Sequence, residues 1–465
     1  MGIGPLFLLA SLGMAPGSGS REAQVVAWPA PAGEKAFEDC TLRVDGRPVF
    51  VHAATANRSA PGHGLKPEEH GFACFDFTGE VRVEVKAARK LESATVRPAS
   101  AGVRAEVRDD TVSFTLSRPC KLSIEFNGSE SRPLLLFAGA PESYPGGVPR
   151  PGQPGVRFFG PGVHEAGEIR LADGETLYLA GGAVVKGKVA AHRARNIRIL
   201  GRGILDGSLW EPWKATLVSL DRCTDVEVRG IVLRDSPCWT VVPSRCERVS
   251  VADVKILNYR KNSDGINVVG SRQVAIDDCF VRNYDDSIVV KALEPDMPDP
   301  EDLQVRRCVV WCDWGFALGM TYEARTREIR NLRFADCDVL HAMACRGALG
   351  VKNGDRATVR DVRFENIRVE DARVQLLELV VDKDMWSKDT ERGRIQGVVF
   401  KNVSLTGGRF VPSTLAGHDA EHAVEDVTFE NLRIHGKPVP GAEAGRIRIN
   451  PHVRNVRFLV TGRPE

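Results

Sequence analysis

Two short polar runs carry residue types capable of chemistry. Asn262-Ser263-Asp264-Gly265 and Tyr284-Asp285-Asp286-Ser287 each stand just ahead of an apolar pair, Ile266/Val268 and Ile288/Val290. Aligning Ile266 with Ile288 places Asp264 and Asp286 in the same phase, with the adjacent Asp285 pointing differently. If the two stretches form neighbouring layers ~4.8 Å apart, the carboxylates are close neighbours. Like charges so placed repel and raise one another's pKa. That costly arrangement suits inverting glycoside hydrolysis. One carboxylic acid protonates the leaving oxygen, and carboxylates ~6.5–9.5 Å away activate a water on the other side. Asn, Ser, Asp and Gly are also turn formers, so a pair of plain bends explains the same composition.

The elements that must position these residues emerge from a repeat. Apolar residues recur at positions 0, 2, 5 and 7 with a polar pair between, first as Val226, Val228, Ile231 and Leu233. Copies begin at 226, 249, 274, 303, 332, 362, 398 and 427, so the spacings are 23, 25, 29, 29, 30, 36 and 29 residues. Ile197 and Val456 open partial copies on either side. Period-2 apolar pairs are short strands burying one face. The parity slip between positions 2 and 5 marks a sharp bend. Asn or Asp recurs there (Asp253, Asp278, Asp336, Asn366, Asn402, Asn431), and those residues tolerate the left-handed conformation. A third apolar stretch closes each unit, as in Ile266/Val268, Phe316/Leu318 and Leu349/Val351. Three strands per coil, stacked in phase, predict an all-β fold dominated by a right-handed parallel β-helix over 157–465.

Ahead of it, residues 21–139 alternate as strands between turns, with Asp45-Gly46 as a hairpin signal, and predict a small β-sandwich. The stretch 140–156, rich in Pro and Gly, reads as a stiff linker. Residues 1–20 read as a secretory signal: an apolar run from Pro5 to about Ala15 is too short to span a bilayer and is followed by small residues. Export and no membrane span in the mature chain are the expectations. Lys+Arg is 63 and Asp+Glu 61, a net charge of +2, which argues against a nucleic-acid partner. Eleven cysteines are few for a disulfide-stapled chain of 465 residues. Cys279, Cys308 and Cys337 share position 5 of consecutive copies and read as a ladder of buried thiols. His418 and His422 read as part of a solvated loop rather than a metal site.

Over about residues 155–460 the chain resembles family 28 of the glycoside hydrolases, the polygalacturonase-like family, and more distantly the dextranase family that shares its fold. Asn262-Ser263-Asp264 followed by Asp285-Asp286 is similar to the family's Asn-Thr-Asp and Asp-Asp motifs. The resemblance implies Asp285 as general acid, Asp264 and Asp286 as holders of the attacking water, a secreted enzyme without metal or cofactor, and a pectic or related polysaccharide as substrate. Two motifs depart from the family. Asp313-Trp314-Gly315 stands where Gly-His-Gly is expected, and Gly350-Val351-Lys352 where Arg-Ile-Lys is expected, so the supporting histidine and arginine are absent.

Candidate substrate contacts are Asn262 ahead of its third strand, Lys291 and Lys352 at matching strand ends, Trp314 as a sugar platform, and Arg346 in place of the lost arginine. Trp239, Glu323 and His341 are further groove candidates. A polysaccharide lyase and a non-catalytic carbohydrate-binding β-helix are the rival functions on this fold.

Overall fold

The computed structural model describes residues 23–60, 64–343 and 345–461; the signal expected at 1–20 lies outside them. The fold is a right-handed parallel β-helix with an antiparallel sandwich ahead of it. One face of the helix is a sheet of 12 strands, from Val156–Phe159 to Val453–Leu459, paired in parallel in chain order. The other two faces share a sheet of 21 strands. Its second-face column runs Lys255–Leu257, Phe280–Asn283, Val309–Cys312, Asp338–Ala342. Its third-face column runs Ile266–Val269, Ile288–Ala292, Leu318–Ala324, Leu349–Asn353.

The repeat maps onto this directly. Asp253, Asp278, Asp336, Asn366, Asn402 and Asn431 all adopt φ between 51° and 56° at the bend between the first and second faces. Asn402 Nδ2 donates to Asn366 Oδ1 at 2.9 Å and Asn431 Nδ2 to Asn402 Oδ1 at 3.0 Å, an amide ladder along that corner. Inside, the rings of Phe334, Phe364, Phe400, Phe429 and Phe458 stack at 4.9, 5.0, 5.3 and 4.8 Å. Cys279, Cys308 and Cys337 are fully buried and unpaired. A second left-handed column, including Asp225, Arg248, Gln273, Asp302, Asn331, Asp361 and Asp426, stands one residue ahead of position 0 in successive first-face strands, with the strands remaining in register. The sequence pattern did not announce it, because a residue level with its equivalents in every coil leaves the later parity unchanged.

Residues 24–139 form sheets of six and five strands packed over a shared core that includes Leu42, Val83, Phe75 and Ile124. Asp45 and Gly46 (φ 48° and 73°) make the expected hairpin. The six-stranded sheet docks on the second face of the helix, where Phe72, Leu135 and Phe137 meet Val232, Leu257, Phe280 and Trp311. Ion pairs ring that contact: Arg234 with Glu34 at 2.6 Å, Arg202 with Asp76 at 2.9 Å, Lys121 with Asp278 at 2.8 Å. The Pro/Gly stretch is docked rather than spanning solvent, since Tyr144 is buried with Tyr178 and Leu200.

Candidate active site

The corner between the second and third faces builds the site. Gly265 N–H donates to the Asp286 carbonyl at 2.8 Å and Ser287 N–H to the Phe316 carbonyl at 2.7 Å, so three successive coils stack here. With Ile266 paired to Ile288, Asp264 and Asp286 occupy equivalent places on adjacent coils. Asn283, fully buried, holds the bend together. Its Nδ2 donates to the carbonyls of Ser263 (3.1 Å), Asp285 (2.9 Å) and Asp286 (2.9 Å), and its Oδ1 accepts from Ser287 at 2.7 Å. Sequence reasoning missed Asn283, although Asn258 occupies the same phase one coil earlier and also braces its bend, donating to Thr240 Oγ1 and accepting from the Ser236 N–H.

The three aspartates share a solvent-open cleft with Trp213, Trp239, Asn262, Lys291, Tyr322, Glu323 and Trp386. Their environments differ. Asp286 accepts from the Phe316 N–H (2.9 Å), Thr321 Oγ1 (2.8 Å) and Lys291 Nζ (3.0 Å). Asp264 accepts from Asn267 Nδ2 at 2.9 Å, while its Oδ1 has no protein partner. Burial, and then the charge of Asp285, push the Asp264 carboxyl well above the usual range. Burial, and then the charge of Asp286, push Asp285 up to about 7. The three carboxyls therefore sit in unequal environments, Asp264 and Asp285 pushed up by burial and Asp286 held by three donors, as acid and base working side by side require.

The far wall comes from an irregular strand. Between the pairs Val290–Met320 and Ala292–Ala324 the strand Leu318–Ala324 carries two extra residues, and Tyr322 adopts φ 52°. A bulky side chain in that region is strained. Here it sets Tyr322 and Glu323 beside Lys291, whose Nζ is 3.3 Å from Glu323 and 5.4 Å from the Trp239 ring centre.

The expected substrate contacts are distributed unevenly. Asn262, at φ 63°, lines the cleft and bonds Cys238 Sγ at 3.3 Å. Lys291 and Lys352 differ from the expectation of free cations at strand ends. Lys291 is 4% exposed and paired with Asp286 and Glu323; Lys352 is 8% exposed and paired with Asp384 at 2.9 Å. The protein's own acids already occupy both ammonium groups. Arg346 lies over the Tyr322 ring at 5.0 Å and 3.7 Å from Asp384. Trp314 is not among the residues lining the cleft; its ring stacks on Tyr284 at 6.0 Å. His341 turns the other way, toward the sandwich, bonding Glu125 and Asp371. His418 and His422 pair with Asp382 and Asp419. Among the described residues no group of His, Cys, Asp and Glu is arranged to hold a metal ion.

Both motif departures have a structural basis. Asp313 is buried near Arg282 beneath the sandwich, and the residue level with Asp286 is Phe316, which serves it through a backbone N–H. At Gly350 a side chain would collide with the Glu378 carbonyl, so no arginine fits while the coils keep this spacing. Trp213 and Trp386, 52% and 45% exposed, were missed by sequence reasoning. The signal for Trp386 was present: the 36-residue spacing between copies contains the insertion Asp382–Gly393 that carries it.

The model of glycosyl hydrolases family 28 matches residues 186–445. A polygalacturonase of Juniperus ashei is 21% identical over 245 residues, covering 47% of this chain and 47% of that protein. The chain thus spans less than half the length of the curated relatives it matches. In fold, Dex49A from Penicillium minioluteum superposes with a TM-score of 0.63 at 14% identity, covering 93% of this chain and 96% of that one. An exopolygalacturonase from Thermotoga maritima gives 0.50 at 18% identity, covering 65% and 83%. With the family model covering more than half of its residues, three of them the clustered aspartates, the chain belongs to glycosyl hydrolases family 28.

Proposed function

We propose that this chain hydrolyses glycosidic bonds of a pectin-like or related polysaccharide with inversion of configuration. The observation that carries this is the cluster Asp264, Asp285 and Asp286 in a tryptophan-rimmed cleft, with Asp285 held up to about 7. In this reading Asp285 is the general acid, protonated below neutrality, and donates to the leaving oxygen. Asp286, on which an ammonium, a hydroxyl and a backbone N–H converge, is the base partner, and Asp264 Oδ1, which has no protein partner, helps to hold the attacking water. Trp213, Trp239 and Trp386 offer rings to sugar faces. The relatives' polygalacturonase names support a pectic chain as the substrate class.

The test is a polysaccharide panel read for reducing ends and for the anomer first released, by proton NMR. Release of the inverted anomer by the native chain, and none by Asp285→Asn of intact fold, supports the proposal. Retained configuration, unsaturated ends or full activity in Asp285→Asn would each overturn it.

A further inference from the structure

The cleft's cations are spent on the protein itself. Lys291 is shared by Asp286 and Glu323, and Lys352 is taken by Asp384, which also stands 3.7 Å from Arg346. Glu378, buried on the coil beyond, adds a second acid against Arg346. Against these three cations stand six acids: Asp264, Asp285, Asp286, Glu323, Glu378 and Asp384. Even with Asp264 and Asp285 protonated, Asp286 and Glu323 outnumber Lys291 at the floor of the cleft. The position that would add a guanidinium, Gly350, admits no side chain beside Glu378.

A polyuronate carries one carboxylate per sugar, and binding it at the floor of the cleft would bring like charges together where Lys291, Lys352 and Arg346 already face the protein's own acids. The walls offer instead the rings of Trp213, Trp239, Tyr322 and Trp386 and the amide of Asn262, surfaces that take apolar sugar faces and hydroxyl groups. We infer that the sugar seated at the three aspartates is an uncharged pyranosyl unit rather than a free uronate. This rests on the hydrolase function proposed above and narrows its substrate class.

The experiment compares one backbone in three charge states: polygalacturonate, its fully methyl-esterified form and its carboxyl-reduced form, with dextran as an unrelated neutral chain. The expected result is kcat/KM at least tenfold higher on a neutral chain than on polygalacturonate, with little dependence on salt. The esterified and reduced arms distinguish a masked uronate from a plain hexose. In Asp384→Asn, which releases Lys352 and Arg346, the preference narrows severalfold, through KM on polygalacturonate. Faster cleavage of polygalacturonate than of every neutral chain overturns the inference and leaves the hydrolase function standing. Cleavage of none of the four sinks that function and the inference with it.

Discussion

Lys291 Nζ lies 3.0 Å from Asp286 Oδ2 and 3.3 Å from Glu323, and burial does not discharge it: these carboxylates hold its pKa well above the usual lysine range. One ammonium is thus shared between two acids under the cleft. Removing it leaves both unpaired in a poorly hydrated place, a change that costs about 3–5 kcal/mol for buried pairs. Lys291→Met is expected to lower kcat on the order of 10²-fold. It should also move the acid limb of the pH–rate profile to higher pH, because the carboxylates lose the charge that keeps them ionised. A profile shifted in height alone would show that Lys291 only supports the fold.

Asp285 sets the opposite limb. Its carboxyl is pushed up to about 7, first by burial and then by the charge of Asp286. A general acid must be protonated, so kcat/KM is expected to fall above about pH 7. Stability has the same sign: a carboxyl whose folded pKa exceeds its unfolded value of 3.8 binds more protons in the folded state, so stability falls as pH rises from 3.8 to about 7. Asp285→Asn should therefore be inactive yet more stable than the native chain at pH 8, on the order of 1–2 kcal/mol, with the gain vanishing at pH 4. Denaturant titrations at the two pH values check this, and an equal effect at both would contradict it.

Much of this was legible in residue order. Apolar spacing specifies strands because a coil can bury only alternate side chains, and equal phase specifies stacking because each strand must pair with its neighbour. Asp264 and Asp286 became neighbours through that logic alone. The state of the lysines was not legible. Lys291 meets Glu323 only because of the two-residue bulge at Tyr322, and Lys352 meets Asp384 only through an insertion, and neither irregularity follows from the repeat. Trp314 stands level with Tyr284 on the neighbouring coil, and its ring stacks on that tyrosine.

Asn283 is a positioning residue whose test separates it from the chemistry. Its amide ties the carbonyls of Ser263, Asp285 and Asp286 while its side chain touches no part of the open cleft. Asn283→Ala removes three hydrogen bonds and leaves the Ser263 carbonyl without its amide donor, at about 1–3 kcal/mol for an unsatisfied buried group, while the Asp286 carbonyl keeps the Gly265 N–H. The expected outcome is a fall in kcat of tenfold or more with KM little changed, in protein that remains folded by circular dichroism. Equal losses in kcat and in folded fraction would reduce Asn283 to a fold-stabilising role.

Trp213 and Trp386 should act on binding alone. They are 52% and 45% exposed and line the cleft mouth, so truncation removes little buried contact. An aromatic contact is worth about 0.5–1.5 kcal/mol, which predicts about a 2- to 12-fold rise in KM for each alanine variant with kcat preserved. Unchanged KM on a cleaved substrate would remove these rings from the binding surface.

The contact between sandwich and helix is expected to weaken on the alkaline side, through His341. The ring is buried against Trp311 at 4.1 Å, its Nε2 is 2.8 Å from Glu125 and its Nδ1 2.9 Å from Asp371. Carboxylates only accept, so both nitrogens must donate and the ring is an imidazolium. Arg97, on Glu125, Arg373, near Asp371, Asp313, and Arg282, which lies over the Trp311 ring, also face the pair. Burial opposes the charge, but the hydrogen bonds to Asp371 and Glu125 win and raise the pKa above 6.5. A folded pKa above the unfolded one gives stability that is complete below pH 6.5 and is lost as pH climbs through the folded value. His341→Gln should thus destabilise by about 1.5–3 kcal/mol at pH 5.5, the scale of a hydrogen bond to a charged group, and by clearly less at pH 9. Thermal midpoints of both chains at the two pH values measure this, and a gap independent of pH would show that His341 is neutral in the fold.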